Sequence, residues 1–155
     1  MTAMTRGMRK LAEQAQEYLS DGERIVAIQP VRNKGSLDAQ ALGGAIGTVA
    51  GARGSERERE AAANAGVELG AFMALAITTE RLLVFAVGGV ARIDRLLSEV
   101  PLAEVDSIAV DKVMLGTRKR ITVTVRGVPF ALEAPGRQRA EDLADALERT
   151  RGVAA

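Results

Sequence analysis

Ala76-Ile77-Thr78-Thr79-Glu80-Arg81-Leu82-Leu83-Val84-Phe85 is the stretch on which the reading of the fold turns. Two runs of apolar residues flank the polar Thr79-Glu80, so the segment reads as a hairpin with strands over Ala71 to Thr78 and Arg81 to Val87. Downstream the same rhythm repeats. Gly88-Gly89 supplies a reversal that needs positive φ, and Val90 to Leu97 gives the next strand. Pro101 interrupts the pattern. Val105 to Met114 then alternates Val105, Ser107 and Ala109 against Asp106, Ile108 and Val110. Leu115-Gly116-Thr117 turns the chain into Lys119 to Arg126, where Ile121, Val123 and Val125 share a face. Gly127 turns it again into Val128 to Ala134, and Pro135-Gly136 ends the section.

Upstream of the hairpin, Glu23 to Val31 alternates Ile25, Ala27 and Gln29 against Val26, Ile28 and Pro30. It reads as a strand that Pro30 brings to a close. Before it, Met8, Leu11, Ala12, Ala15, Tyr18 and Leu19 recur at helical spacing among charged residues, and Ser20-Asp21-Gly22 stops that helix. At the other end Ala140, Leu143, Ala144 and Leu147 form one helical face. Glu141 and Asp142 in the first turn, with Arg149 and Arg151 in the last, suit the helix dipole, and Gly152 is the expected stop. Residues 33–70 break both periods. They read as a Gly/Ala-rich insertion, flexible or partly helical, carrying the charge run Glu56-Arg57-Glu58-Arg59-Glu60.

The predicted class is α+β, one domain over residues 1–155: a helix, a strand, the insertion, six short strands and a helix. With 47% apolar and 26% charged residues among 155, the balance is that of a soluble globular chain. The 21 basic residues against 20 acidic leave no long-range field for phosphate backbones or anionic bilayers, so charge-based binding has to be local. The absence of cysteine and histidine removes thiolate nucleophiles, the usual zinc ligands and the commonest general base. No secretory h-region precedes the first helix, and Ala39 to Ala52 is too short to span a bilayer as a helix. The expected location is cytoplasmic.

Seven strands closed by one amphipathic helix resemble the pleckstrin-homology (PH) superfold, and the wording resembles its short bacterial PH-like branch. The resemblance is carried by Gly22-Glu23-Arg24-Ile25 entering the first strand, by the hairpin phrase Ala76 to Phe85, and by Val105-Asp106-Ser107-Ile108. It covers Asp21 to Arg149 apart from the insertion. It implies a seven-stranded antiparallel barrel or sandwich capped by the C-terminal helix, with Leu143 and Leu147 plugging one open end. Functions in that superfold range over lipid binding, peptide or protein binding and scaffolding. Arg32 and Lys34 follow the first strand, where phosphoinositide binders carry basic residues. Phe72 to Ile77 adds none, so phosphoinositide specificity is not implied.

Lys112, Arg118, Lys119 and Arg120 gather around the turn at Gly116 and complete the candidate binding residues with Arg32 and Lys34. The competing reading of that cluster is a solvated hairpin tip. Gly43, Gly47 and Gly51 would make a smooth helical face for self-association or membrane contact, or else a small-residue connector. Aromatic content of 3% gives no stacking platform for nucleic acid. Asp94, Glu99, Glu104, Asp106 and Asp111 stand in no catalytic motif, and Gly43-Gly44 to Gly54 lacks the Gly-Lys-Ser/Thr ending of a phosphate loop. The expectation is a non-enzymatic module with no cofactor or metal. Its partner is a protein or peptide, a second copy of the chain included. The alternative is a peripheral module meeting anionic lipid through the insertion and the basic hairpin.

Overall fold

The apolar runs become antiparallel strands of one twisted sheet. The computed structural model describes residues 5–33, 56–88, 91–113, 117–136 and 138–154, with side chains as far as 152. In chain order these form α1 (Arg6–Ala15), β1 (Ile25–Asn33), a helix α2 over 56–64, β2 (Phe72–Thr78), β3 (Arg81–Gly88), β4 (Arg92–Pro101), β5 (Val105–Val113), β6 (Arg118–Val125), β7 (Val128–Pro135) and α3 (Glu141–Ala154). Among the described residues the strand order is β4-β3-β2-β1-β7-β6-β5. Seven antiparallel strands followed by a packed C-terminal helix make the fold PH-like.

Of the barrel or sandwich expected, the described strands make the open form. β4 and β5 are the two sheet edges and are not paired with each other, so the sheet stays open. Among the described residues β1 meets β7 only at Arg32↔Glu133 and Asn33↔Leu132. Side chains close the openings instead. On one side α3 lies against β5, β1 and β2, sinking Leu143, Ala146 and Leu147 into the core with Leu75, Val84, Ile121, Val123 and Phe130. Leu143 and Leu147 each contribute roughly 1.5–3 kcal/mol when taken from water. On the other side α2 and the segment after it add Ala62, Ala65, Val67 and Leu69 to the same core.

The outer face of the β1 to β4 half is covered as well. Thr5 caps α1 by accepting the Met8 N–H at 3.1 Å, which fixes the rotation that turns Met8, Leu11 and Ala15 onto Ile28, Ala74, Ala76, Leu83 and Phe85. Tyr18 meets Phe85 edge-on, with ring centroids 5.2 Å apart. Cover on both faces explains why β2 and β3 are continuously apolar while β6 alternates.

Several boundaries differ from the sequence reading, among them β4, expected over Val90 to Leu97 and found over Arg92–Pro101, so that Pro101 ends the strand. Pro30 lies inside β1, opposite Ala74 of β2. The β7 pairing begins only at Arg32, so no ladder asks for the missing N–H. Gly152 lies within α3, whose helical backbone it keeps. Of the expected insertion, residues 34–55, with Lys34 and the Gly43, Gly47 and Gly51 series, lie outside the described residues.

Candidate interaction surface

Register decides which of the candidate residues share a face, because residues directly opposite in an antiparallel pair point the same way. Arg32 of β1 stands opposite Phe72 of β2 on one side and Glu133 of β7 on the other. Glu133 stands opposite Arg120 of β6, and Arg120 opposite Asp111 of β5. The result is a transverse row, Phe72, Arg32, Glu133, Arg120 and Asp111, across five strands on the outer face. The Arg32 guanidinium lies 5.2 Å from the centre of the Phe72 ring, within the range of a cation–π contact. Phe72 is 47% exposed, the one exposed large hydrophobic among the described residues. Arg118 leans into the row, with Nη1 3.3 Å from Oε2 of the buried Glu133.

Lys119 departs from the cluster expected at this hairpin. It is 6% exposed, on the inner face with Ile121, Val123 and Val125, and its ammonium donates to the Gln138 carbonyl at 2.7 Å and to the Glu141 carboxylate. Burial, the largest single influence, pushes the Glu141 carboxyl up, but the hydrogen bonds from Lys119 and from its own backbone N–H, with the charges of Lys119 and Arg139, together outweigh it and hold the carboxyl below its usual range. Lys119 therefore fastens the first turn of α3 to the sheet. The signal was in the sequence: Lys119 has the same parity in β6 as Ile121, Val123 and Val125. Lys112 stands opposite Lys119 at the sheet edge and is exposed. Lys112 and Arg120 make no ion pair among the described residues.

The described candidates thus separate. Arg32 and Arg120 sit in the row, Arg118 supports it, Lys112 lies exposed at the sheet edge, and Lys119 fastens α3. The row's residues alternate in sign, Arg32, Glu133, Arg120 and Asp111, but Glu133 is buried against Arg118, so the charges turned outward are those of Arg32, Arg120 and Asp111. A surface of uniform sign would suit a phosphate-rich face, whereas mixed sign suits a partner whose own charges are mixed.

Residues missed from the sequence carry much of the remaining polar structure. Glu58, from the middle of the run expected to be solvated, is 8% exposed, and its Oε2 accepts the Ala131 N–H at 2.6 Å. Glu23 is buried against Thr78 and Arg81. At the β6–β7 turn, Arg126 pairs with Glu104 through two bonds of 3.0 and 2.9 Å and also donates to the Ala65 carbonyl at 2.5 Å. The hydrogen bond from Arg126 holds the Glu104 carboxyl below its usual range.

No helix among the described residues is long and apolar enough to cross a membrane. No family model matches the chain, and no curated protein matches it. Among solved structures, the chain is similar to a DUF1696 family protein with a pleckstrin-homology domain from Shewanella loihica PV-4, with a TM-score of 0.49, 10% sequence identity and 92% of each chain covered. It is also similar to the hSac2 domain from human phosphoinositide phosphatase Sac2, with a TM-score of 0.46, 10% identity, and coverage of 99% of this chain and 87% of that one.

Proposed function

We propose that the chain is a non-enzymatic PH-like interaction module that binds a protein or peptide partner across the outer row of its sheet. One observation carries the reading: an exposed Phe72 with the Arg32 guanidinium against its ring, continued by a strip of mixed charge. Aromatic and arginine side chains supply most of the energetic anchors of protein interfaces. The chain also lacks histidine and cysteine, which supports a binding role over catalysis. Asp111, exposed at the end of the row, counts against anionic lipid as the partner, since a bilayer surface would face it with like charge.

Panning a displayed random-peptide library against the immobilised chain tests this. Enriched peptides should lose binding to the Phe72→Ser and Arg120→Glu chains, both changes being at exposed positions. An empty selection, or binders indifferent to both substitutions, overturns the reading. Salt-sensitive co-sedimentation with anionic vesicles would transfer the role to lipid.

A further inference from the structure

The segment between α2 and β2 sits in the protein as a bound peptide sits in its receptor. Val67 and Leu69 are buried in the core and Glu68 between them is exposed, the side-chain alternation of a strand. The Val67 N–H donates back to the Ala62 carbonyl of α2 at 2.8 Å, and the polar contacts of Glu68 come from β4 (Arg92–Pro101). The Glu68 N–H donates to Ser98 Oγ at 2.7 Å, Ser98 Oγ reaches the Glu68 carbonyl at 3.4 Å, and Arg95 Nη2 lies 3.4 Å from the Glu68 carboxylate. Two apolar sockets, a hydroxyl reading the peptide backbone and a guanidinium reading an acid make a complete recognition set for three residues. Gly66, at φ 80, ends the helix before the segment, and Gly70 follows it. The tripeptide is thus bracketed by glycines, the residues that cost least to re-aim.

We propose that this is a docking groove for a partner segment of apolar-acidic-apolar character, held occupied in cis by Val67-Glu68-Leu69. The inference rests on the reading of the chain as an interaction module and adds to it a second surface, a partner chemistry and a built-in competitor. The competitor sets the sensitivity. If the segment leaves the groove in about one molecule in a hundred, a partner's apparent affinity falls about 100-fold below its intrinsic value. Anything that loosens the segment restores affinity without changing the groove.

The test uses the full chain and a fluorescent peptide of residues 62–71. Shortening one internal anchor with Leu69→Ala should tighten binding of the peptide at least about tenfold over the wild-type chain. Adding Arg95→Glu should abolish the gain, and a peptide carrying Glu68→Lys should recover it on that chain. Equal binding to the wild-type and Leu69→Ala chains, or indifference to Arg95, overturns the proposal. Hydrogen exchange on the wild-type chain keeps the test decisive should Leu69→Ala fail to fold. The Glu68 amide should exchange by local opening, well before Leu75 of β2 and Leu83 of β3, and equal protection at all three overturns the proposal. Library binders that respond to Phe72→Ser while the 62–71 peptide fails would remove the groove and leave the interaction module standing. An empty library would remove both.

Discussion

Glu23 and Arg81 meet side-on, Nη2 to Oε1 at 2.5 Å and Nε to Oε2 at 3.0 Å, with the carboxylate shut away from water. Thr78 Oγ1 donates to the same carboxylate at 2.6 Å and the Ser20 N–H at 2.9 Å, so every lone-pair direction is used. Arg81 continues to Glu99 and to the Tyr18 carbonyl. One ion pair thereby ties the turn before β1 to the β2–β3 hairpin, to β4 and to the end of the α1 region. The hydrogen bond from Arg81 is the main reason the Glu23 pKa falls from 4.5 to about 2, overcoming the upward push of burial.

A group whose folded pKa is depressed stabilises the protein above its unfolded value and loses that contribution as pH falls. Glu23 should therefore contribute fully above about pH 4.5 and fade toward pH 2. The shift corresponds to about 3 kcal/mol. Urea unfolding of the wild-type and Glu23→Gln chains should show a gap of that order at pH 7 that narrows steadily as pH drops. A gap independent of pH would show that Glu23 acts by packing alone. Arg81→Met should cost about 3–5 kcal/mol at neutral pH by stranding the carboxylate.

Leu147 is fully buried where α3 covers the sheet. Leu147→Asp should lower stability by several kcal/mol, while Leu147→Met, which keeps volume and polarity, should cost less than about 1.5 kcal/mol. A thermal melt of the Leu147→Asp chain at the wild-type temperature would remove α3 from its role as the cover.

Glu58 supplies the acceptor for the Ala131 N–H just beyond the place where β1 stops accompanying β7. Glu58→Ala leaves that amide without this acceptor and should cost about 1–3 kcal/mol, whereas Glu58→Gln keeps an oxygen there and should retain much of it. Equal losses in chemical denaturation would mean that charge, not the acceptor, is what matters.

Arg126 and Gly127 both have positive φ, 51° and 80°, as a two-residue hairpin turn with the right twist requires. A Cβ at Gly127 would meet nothing within 4 Å, so Gly127→Ala isolates backbone strain, about 1–2 kcal/mol by equilibrium unfolding. A neutral result would mean that the turn changes type at no cost.

The strands were legible because a half-buried sheet imposes period two, which β6 shows directly, and because short apolar runs end at turn residues. The covers were legible because α1 and α3 each bury one helical stripe. What failed to show was tertiary in origin. Glu58 looks like its neighbours in a charged run, and only the position of β7 makes it an acceptor. Pro30 reads as a terminator until the late start of the β1–β7 pairing is known. Of the candidate site, the arginines of the outer row were visible as basic residues, but the row's alternation depends on which strands are neighbours. Phe72, at the head of an apolar run, gave no sign of exposure, since it pairs only with Arg32 of β1 and has no partner in the β2–β3 register.

The narrow seam at Arg32↔Glu133 and Asn33↔Leu132 joins residues about a hundred positions apart along the chain. The β2-β3-β4 and β5-β6-β7 meanders are local and can form on the microsecond scale of hairpins, but the seam has to wait for a long loop to close. It is therefore expected to zip late, and the folding rate should respond to changes in the intervening chain length more than to changes within either meander. Until it closes, β1 and β7 each present a bare edge. The time spent in that state sets the window in which two chains at high concentration can pair with each other instead of with themselves.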